Sequence, residues 1–330
     1  MDRPRRRSSL LILTALGAVA AAPVGSPLHG LRWVAPGADG ARILTERPME
    51  CLAAPKSPIE ANDNAYLVEI GRAAFRTPLI LGGAAARGGV ECETCHRNGR
   101  SNPDFDLPGL SGAPGTADVR SFLFSPKRGD HMGKPRPIPD LGGPKSALKI
   151  SQAPGSPDLE RFIHGLVTEE FDGAEPPPAV LAGLAAYVRA LTPTACPAGG
   201  SERLSVQADV DNARRAVRAG LAALAKGDPG TAVVMVGAAR STLGDMAERY
   251  AAPGLAADDE SLRIADLGLA AAISDIRRSD PSARLSLETW LGRSEVWANA
   301  LEADERRSYY DRAALAQAIG SMDSGTSLAR

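Results

Sequence analysis

Helical periodicity organises most of this chain. Over 63–75, Tyr66, Ile70 and either Ala73 or Ala74 fall on one helical face; over 178–191, Leu181, Leu184, Tyr187, Val188 and Leu191 recur at helical spacing. Pro178 suits a first helical turn, where its missing N–H needs no partner. Leu159 to Val167 predicts a shorter helix with Leu159, Phe162, Ile163 and Leu166 on its apolar face and His164 beside that face. Pro- and Gly-rich loops separate these elements. Beyond Ser205 the pattern is helix after helix. Val206, Val210, Ala213, Val217 and Leu221 make one stripe, and the run Gly227-Asp-Pro-Gly breaks it. Val234, Met235, Ala238, Leu243 and Met246 then mark a helix over 231–250, and 262–277 and 285–319 add at least two more. Near the amino end, Leu31 to Ala35 and Ala41 to Thr45 flank a Pro-Gly-Ala-Asp-Gly turn and predict a hairpin. The expected architecture is mainly α: a short extended segment (27–50), a unit over 51–196, a linker from Thr192 to Ser201, and a separate α-helical domain (201–330).

The first residues stand apart. Arg3, Arg5, Arg6 and Arg7 precede an apolar run from Leu10 to Ala22, and Ala18, Val19 and Ala20 form a small-x-small cleavage site. The run is shorter than the roughly 20 residues needed to span a bilayer, so 1–20 reads as a signal peptide and the mature protein as periplasmic, with no further membrane segment. Loss of residues 1–20, with their four Arg and one Asp, takes the formal charge from −1 to −4. No basic run outside this region suggests nucleic-acid binding.

Candidate chemistry concentrates at Cys92-Glu-Thr-Cys-His96. Two thiols at Cys-x-x-Cys spacing can add to the two vinyl groups of one haem, leaving the adjacent histidine beneath the iron as proximal ligand. Cys92 and Cys95 are thus the expected covalent attachment points for a single haem c, and His96 its proximal ligand. Two other readings of the motif fit less well. A redox dithiol would follow a buried strand in a βαβ unit, but Gly88, Gly89 and Val90 precede this one; a closed zinc site wants further Cys or His pairs, which are lacking. The chain holds four Cys in all, and in an oxidising compartment the remaining two, Cys51 and Cys196, invite a disulfide.

The stretch from Gly71 and Phe75, through the haem motif, to Leu-Ala-Ala-Tyr-Val-Arg-Ala-Leu at 184–191 resembles a class I cytochrome c. The resemblance implies that a Gly and an aromatic on the first helix cross an aromatic on the last, the role of Tyr187. Leu107-Pro-Gly-Leu-Ser-Gly112 is similar to the proline loop of that family. It implies that the Pro108 carbonyl, twelve positions after His96, accepts the hydrogen bond from the proximal histidine. More narrowly, Gly71-Arg-Ala-Ala-Phe-Arg-Thr-Pro, Arg136-Pro-Ile-Pro-Asp-Leu, Leu159-Glu-Arg-Phe-Ile and Glu169-Glu-Phe-Asp-Gly resemble one haem domain of the bacterial cytochrome c peroxidase and MauG family. Those peroxidases carry two haem motifs and this chain has one, so a self-contained di-haem enzyme is excluded.

The distal ligand decides the function. Met132, 36 residues after His96 in a Pro-rich loop, is the provisional candidate, with His131 beside it; Met49, Met235, Met246, Met322, His29 and His164 are the others outside the signal. A methionine there gives a single-electron carrier, to be served by an unidentified redox partner protein. An open distal site gives a peroxidase-type oxidoreductase, with Glu169, Glu170 or Asp172 as a possible general base, or else a ligand-binding sensor. Arg97, Arg100, Lys127, Arg128, Lys134 and Arg136 are candidate neighbours of the haem propionates. The helical third lacks Cys and His, loosely resembles over 223–232 the turn inside a tetratricopeptide-type hairpin, and carries Trp290, Trp297, Tyr309 and Tyr310, which suit either a core or the docking of a partner.

Overall fold

The computed structural model describes residues 27–53, 63–127, 133–153, 155–196 and 199–327, and is mainly helical, with two short antiparallel strand pairs. The stretch 1–20, read above as a signal peptide, lies outside the described residues.

The amino-terminal segment is helical where a hairpin was expected: His29–Trp33 is a 3-10 helix and Gly40–Thr45 a short α-helix, α1. Burial of Ala41, Ile43 and Thr45 produces the alternation that mimics a strand. Asp39 overrides it by capping the helix, its carboxylate accepting from the Arg42 N–H at 2.9 Å. Glu46–Pro48 (β1) is the extended part.

Asp63–Phe75 (α2) has the predicted bounds. Gly83–Arg87 (α3) and the single turn Cys92–Cys95 (α4) follow, then Thr116–Ala117 (β2), which pairs with Arg136–Pro137 (β3). Asp158–Gly165 (α5) stops short of the predicted end, giving way to a wider π turn over Leu166–Glu170, and Phe162 is exposed rather than in the core. Pro178–Ala190 (α6) crosses α2 at glycines. A Cβ on Gly71 would lie 1.9 Å from the Gly183 carbonyl oxygen, so only hydrogen fits there. One turn along, Phe75 and Tyr187 meet at 5.1 Å between ring centroids.

Cys51 and Cys196 form the expected disulfide, with Cα atoms 5.4 Å apart. Beside it the Thr192 N–H donates to the Cys51 carbonyl at 2.8 Å, joining the two ends of the middle region.

The stretch expected to be a linker ends in Ser201–Arg203 (β4), which pairs with β1, Glu46 opposite Arg203. Val206–Ala225 (α7) and Pro229–Tyr250 (α8) form a hairpin in which Asp228 caps α8 and Gly227 adopts φ +73°. Ala256–Arg277 (α9), Ser282–Asp304 (α10) and Arg312–Ser327 (α11) complete the chain, the predicted 285–319 helix breaking at a 3-10 turn over Glu305–Arg307. The aromatics belong to the core. Trp290 donates to the Ala265 carbonyl at 2.9 Å, and Tyr310, fully buried, donates to Asp209 at 2.6 Å.

The helical third is not separate. Ala219 of α7 and Met235 of α8 are buried in the same apolar cluster as Ile70, Phe75 and Leu184. Leu79 fills the space over Gly237, where a Cβ would approach it to 2.5 Å, and Glu69 of α2 pairs with Arg215 of α7 at 2.5 Å. Small residues on α7 and α8 let the middle region sit directly on them. At the other end α11 packs on the amino-terminal segment through Leu28, Ala41 and Leu315.

Candidate functional site

The motif sits on one helical turn. Gly89 at φ +74° turns the chain into it, and Glu91 caps the turn by a reciprocal box in which its N–H donates to Thr94 Oγ1 at 3.1 Å. The His96 N–H then donates to the Cys92 carbonyl at 2.9 Å, so both thiols and the imidazole are presented from one rigid piece. Cys92 and Cys95 are half-buried and pack against the apolar cluster that contains Phe75, Leu110, Ile138 and Val188.

The thiols are not poised as nucleophiles. Burial pushes both up to about 12, helped at Cys92 by the carboxylates of Glu91 and Glu93. Redox dithiols and metal thiolates need the opposite shift. Among the described residues no group of three or more His, Cys, Asp or Glu side chains is arranged to hold a metal ion directly.

His96 has a defined tautomer. Its Nδ1 lies 3.1 Å from the Pro139 carbonyl, and because a carbonyl only accepts, Nδ1 carries the proton and Nε2 keeps its lone pair. Burial pulls the imidazole down to about 4 against the opposing effects of that carbonyl and Asp140, so it is neutral at pH 7. The acceptor is thus Pro139 and not Pro108. Pro108 is exposed in a tight turn closed by the Leu110 and Ser111 N–H groups on the Leu107 carbonyl, with Gly109 at φ +87°. The pairing of β2 with β3 carries 136–140 across the motif instead, and two contacts clamp it there. Arg100 Nε binds Asp140 Oδ1 at 2.8 Å, and the Gly142 N–H donates to the Gly99 carbonyl at 3.2 Å.

Behind the motif lies a buried polar network that periodicity does not reveal. Asn98, in the left-handed region at φ 50°, receives the Arg76 guanidinium on Oδ1 at 2.7 Å and donates through Nδ2 to the Pro48 carbonyl at 2.7 Å. Its N–H donates to Glu93 within the motif at 2.7 Å. Glu50 accepts from Arg72, Arg76 and Tyr187 at 2.8 to 2.9 Å. Burial alone would raise the Glu50 carboxyl, but Arg76 and Arg72 hold it well below the usual carboxylate range. Arg72 in the small-residue last turn of α2 and Arg76 just past its end, four positions apart, are the signal in the sequence, since buried charges are paired.

Several candidate residues have other duties. Arg97 donates to the carbonyls of Ile43 and Glu46, fastening the amino-terminal segment to the motif, and Lys127 pairs with Asp172 at 2.8 Å. His164 is bound by Glu175 at 2.8 Å beside an open groove of about 640 Å³ that contains Glu169 and Glu170 and no residue of the motif. Met235 and Met246 are fully buried, Met235 where α8 meets the middle region and Met246 within the helical third, and His29 pairs with Glu248 at 2.7 Å. Met132 and His131 lie outside the described residues, as does Arg128. The ends of their loop are anchored: Lys127 Nζ donates to the Thr168 carbonyl and the Lys134 N–H to Asp118, each at 2.8 Å.

No protein-family model matches this chain, and neither a curated protein nor a solved structure is significantly similar to it.

Proposed function

We propose that this chain is an exported c-type cytochrome of the class I kind, similar to a single haem domain of the cytochrome c peroxidase and MauG family, that carries single electrons in the periplasm. The tautomer of His96 supports this best. An Nδ1–H held by the Pro139 carbonyl orients the ring and leaves Nε2 as a neutral donor, the arrangement an axial ligand needs. Cys92 and Cys95 supply the thioethers, and the apolar wall against which they pack suits the macrocycle. Haem bound there supplies an iron that cycles between ferric and ferrous states. Met132 is the proposed distal ligand, His131 the alternative, and the anchors at Lys127 and Lys134 limit the reach of their loop. The helical third braces the motif from behind, and the redox partner is a second protein.

The test is production of the full chain in a bacterium that matures c-type cytochromes. Covalent haem is expected in the pyridine haemochrome spectrum, lost in Cys92→Ala with Cys95→Ala. Met132→Ala is expected to turn a low-spin ferric spectrum high-spin; an unchanged spectrum removes Met132 as ligand. A high-spin wild type that binds cyanide or peroxide quickly would replace the carrier by a peroxidase-type enzyme.

A further inference from the structure

Behind the motif, on the side of the helical third, lies a cavity of about 210 Å³. Glu93 and Thr94 of the motif and its cap Glu91 form one wall, and Asp209 of α7 with Asp245 and Glu248 of α8 form the other. His29 of the amino-terminal segment closes the outer end, half-exposed and bound to Glu248 Oε2 through both its backbone N–H, at 2.8 Å, and its ring Nδ1, at 2.7 Å. Arg76, whose side chain is nine-tenths buried, and Glu93 belong to its lining, with Arg76 Nε and Glu93 Oε2 lying 3.6 Å apart and neither making a hydrogen bond. A space of this size walled by so many polar side chains has both room and partners for water. It forms a polar chamber between half-exposed His29 and the residues between the two motif cysteines.

We propose that this chamber is a proton site coupled to the redox group: Asp245 takes up one proton from solvent when the haem proposed above gains one electron. The coupling rests on that haem reading. The balance is simple. A one-electron donor in solution supplies the electron, a hydronium ion gives up its proton and becomes water, and one O–H bond forms on the Asp245 carboxylate. Added negative charge beyond the motif wall raises the proton affinity of a nearby carboxylate.

Asp245 suits the role through its neighbours. It is exposed on the chamber wall, where the surrounding protein and the carboxylates of Glu248 and Asp209 raise it above the usual carboxylate range, against the opposing pull of His29 and Arg249. Across the chamber, burial and the Asp245 and Glu93 carboxylates raise Glu91 well above the usual range, with Arg76 opposing. Arg32 faces the His29 and Glu248 end, and Arg47 and Arg97 line the motif side. Carboxylates from two elements share the space, so protonating one relieves the rest.

The full-length protein, its haem content fixed first by pyridine haemochrome, is titrated electrochemically from about pH 5 to about pH 9. The midpoint potential is expected to fall with rising pH around neutrality, by up to about 59 mV per unit, the equivalent of tenfold in a one-electron couple. In Asp245→Asn that slope should flatten while the haem spectrum is kept. A pH indicator in unbuffered solution should report proton uptake on reduction of the wild type. His29→Gln, at a half-exposed position, removes a cation opposite Asp245 and should move the midpoint of the slope to higher pH. A haem-loaded protein whose potential ignores pH, or whose slope survives Asp245→Asn, overturns the coupling alone; a chain without covalent haem overturns both readings.

Discussion

The helices from 206 to 304 and the region from 51 to 196 reach a buried interior by different routes. In the former, small and branched side chains do the packing: Val210, Ala213, Val217 and Ala239 are fully buried and the partners are whole helix faces. In the latter only α2 and α6 are long, and much of the rest is loop. Order there comes from directional contacts: a glycine crossing, a disulfide, and a polar network joining Glu50, Arg76, Asn98 and Tyr187. Apolar area tolerates volume-conserving change, whereas buried polar groups and close backbone approaches do not. A loop-rich region held by such contacts is specified more sharply, and is more easily lost, than the bundle it packs on.

The comparison can be broken at its strongest point first. Gly71→Val puts side-chain atoms where the Gly183 carbonyl sits, and is expected to cost about 5 kcal/mol or more, seen as loss of covalent haem with helical circular dichroism largely retained. Cys51→Ser with Cys196→Ser opens a loop of 145 residues and should cost as much as about 5 kcal/mol in denaturant titration. Glu50→Gln leaves two buried guanidiniums without their carboxylate, at about 4 kcal/mol. Its pH dependence has a definite sign. A carboxyl depressed in the folded state contributes stability above its ordinary value of 4.5, and that stability is lost as pH falls below it. Melting from about pH 5 down to about pH 2 should therefore show a steep wild-type decline that Glu50→Gln lacks. Leu287→Ala, in the bundle, should cost about 3 kcal/mol and leave the haem spectrum unchanged. A spectral change in that variant would mean that the bundle shapes the loop-rich region directly.

Legibility followed the same division. The bounds of α2 and α6 and the stripes of α7 and α8 were readable because one face of each is apolar at helical spacing. The disulfide was readable from cysteine number alone. What escaped depends on contacts distant in sequence. Gly40–Thr45 looked like a strand because burial happens to alternate along it, and the Asp39 cap decided otherwise. Spacing singled out Pro108, yet a short ladder between 116–117 and 136–137 delivers Pro139 to His96. The division at residue 201 followed composition, which cannot register that Met235 and Ala219 fill the neighbouring core. The chamber draws its walls from five separate segments, of which spacing singled out only the one that carries the motif as chemically significant.

The packing of α11 on α1 bears on how the motif is held. Leu315 closes over Leu28 and Ala41, and Arg312 reaches Asp39 at 2.5 Å. Arg97 ties the same amino-terminal segment to the turn that carries Cys92, Cys95 and His96. α11, α1 and that turn are thus linked in series, and loosening the helix at one end is felt at the other as a latch released at a distance.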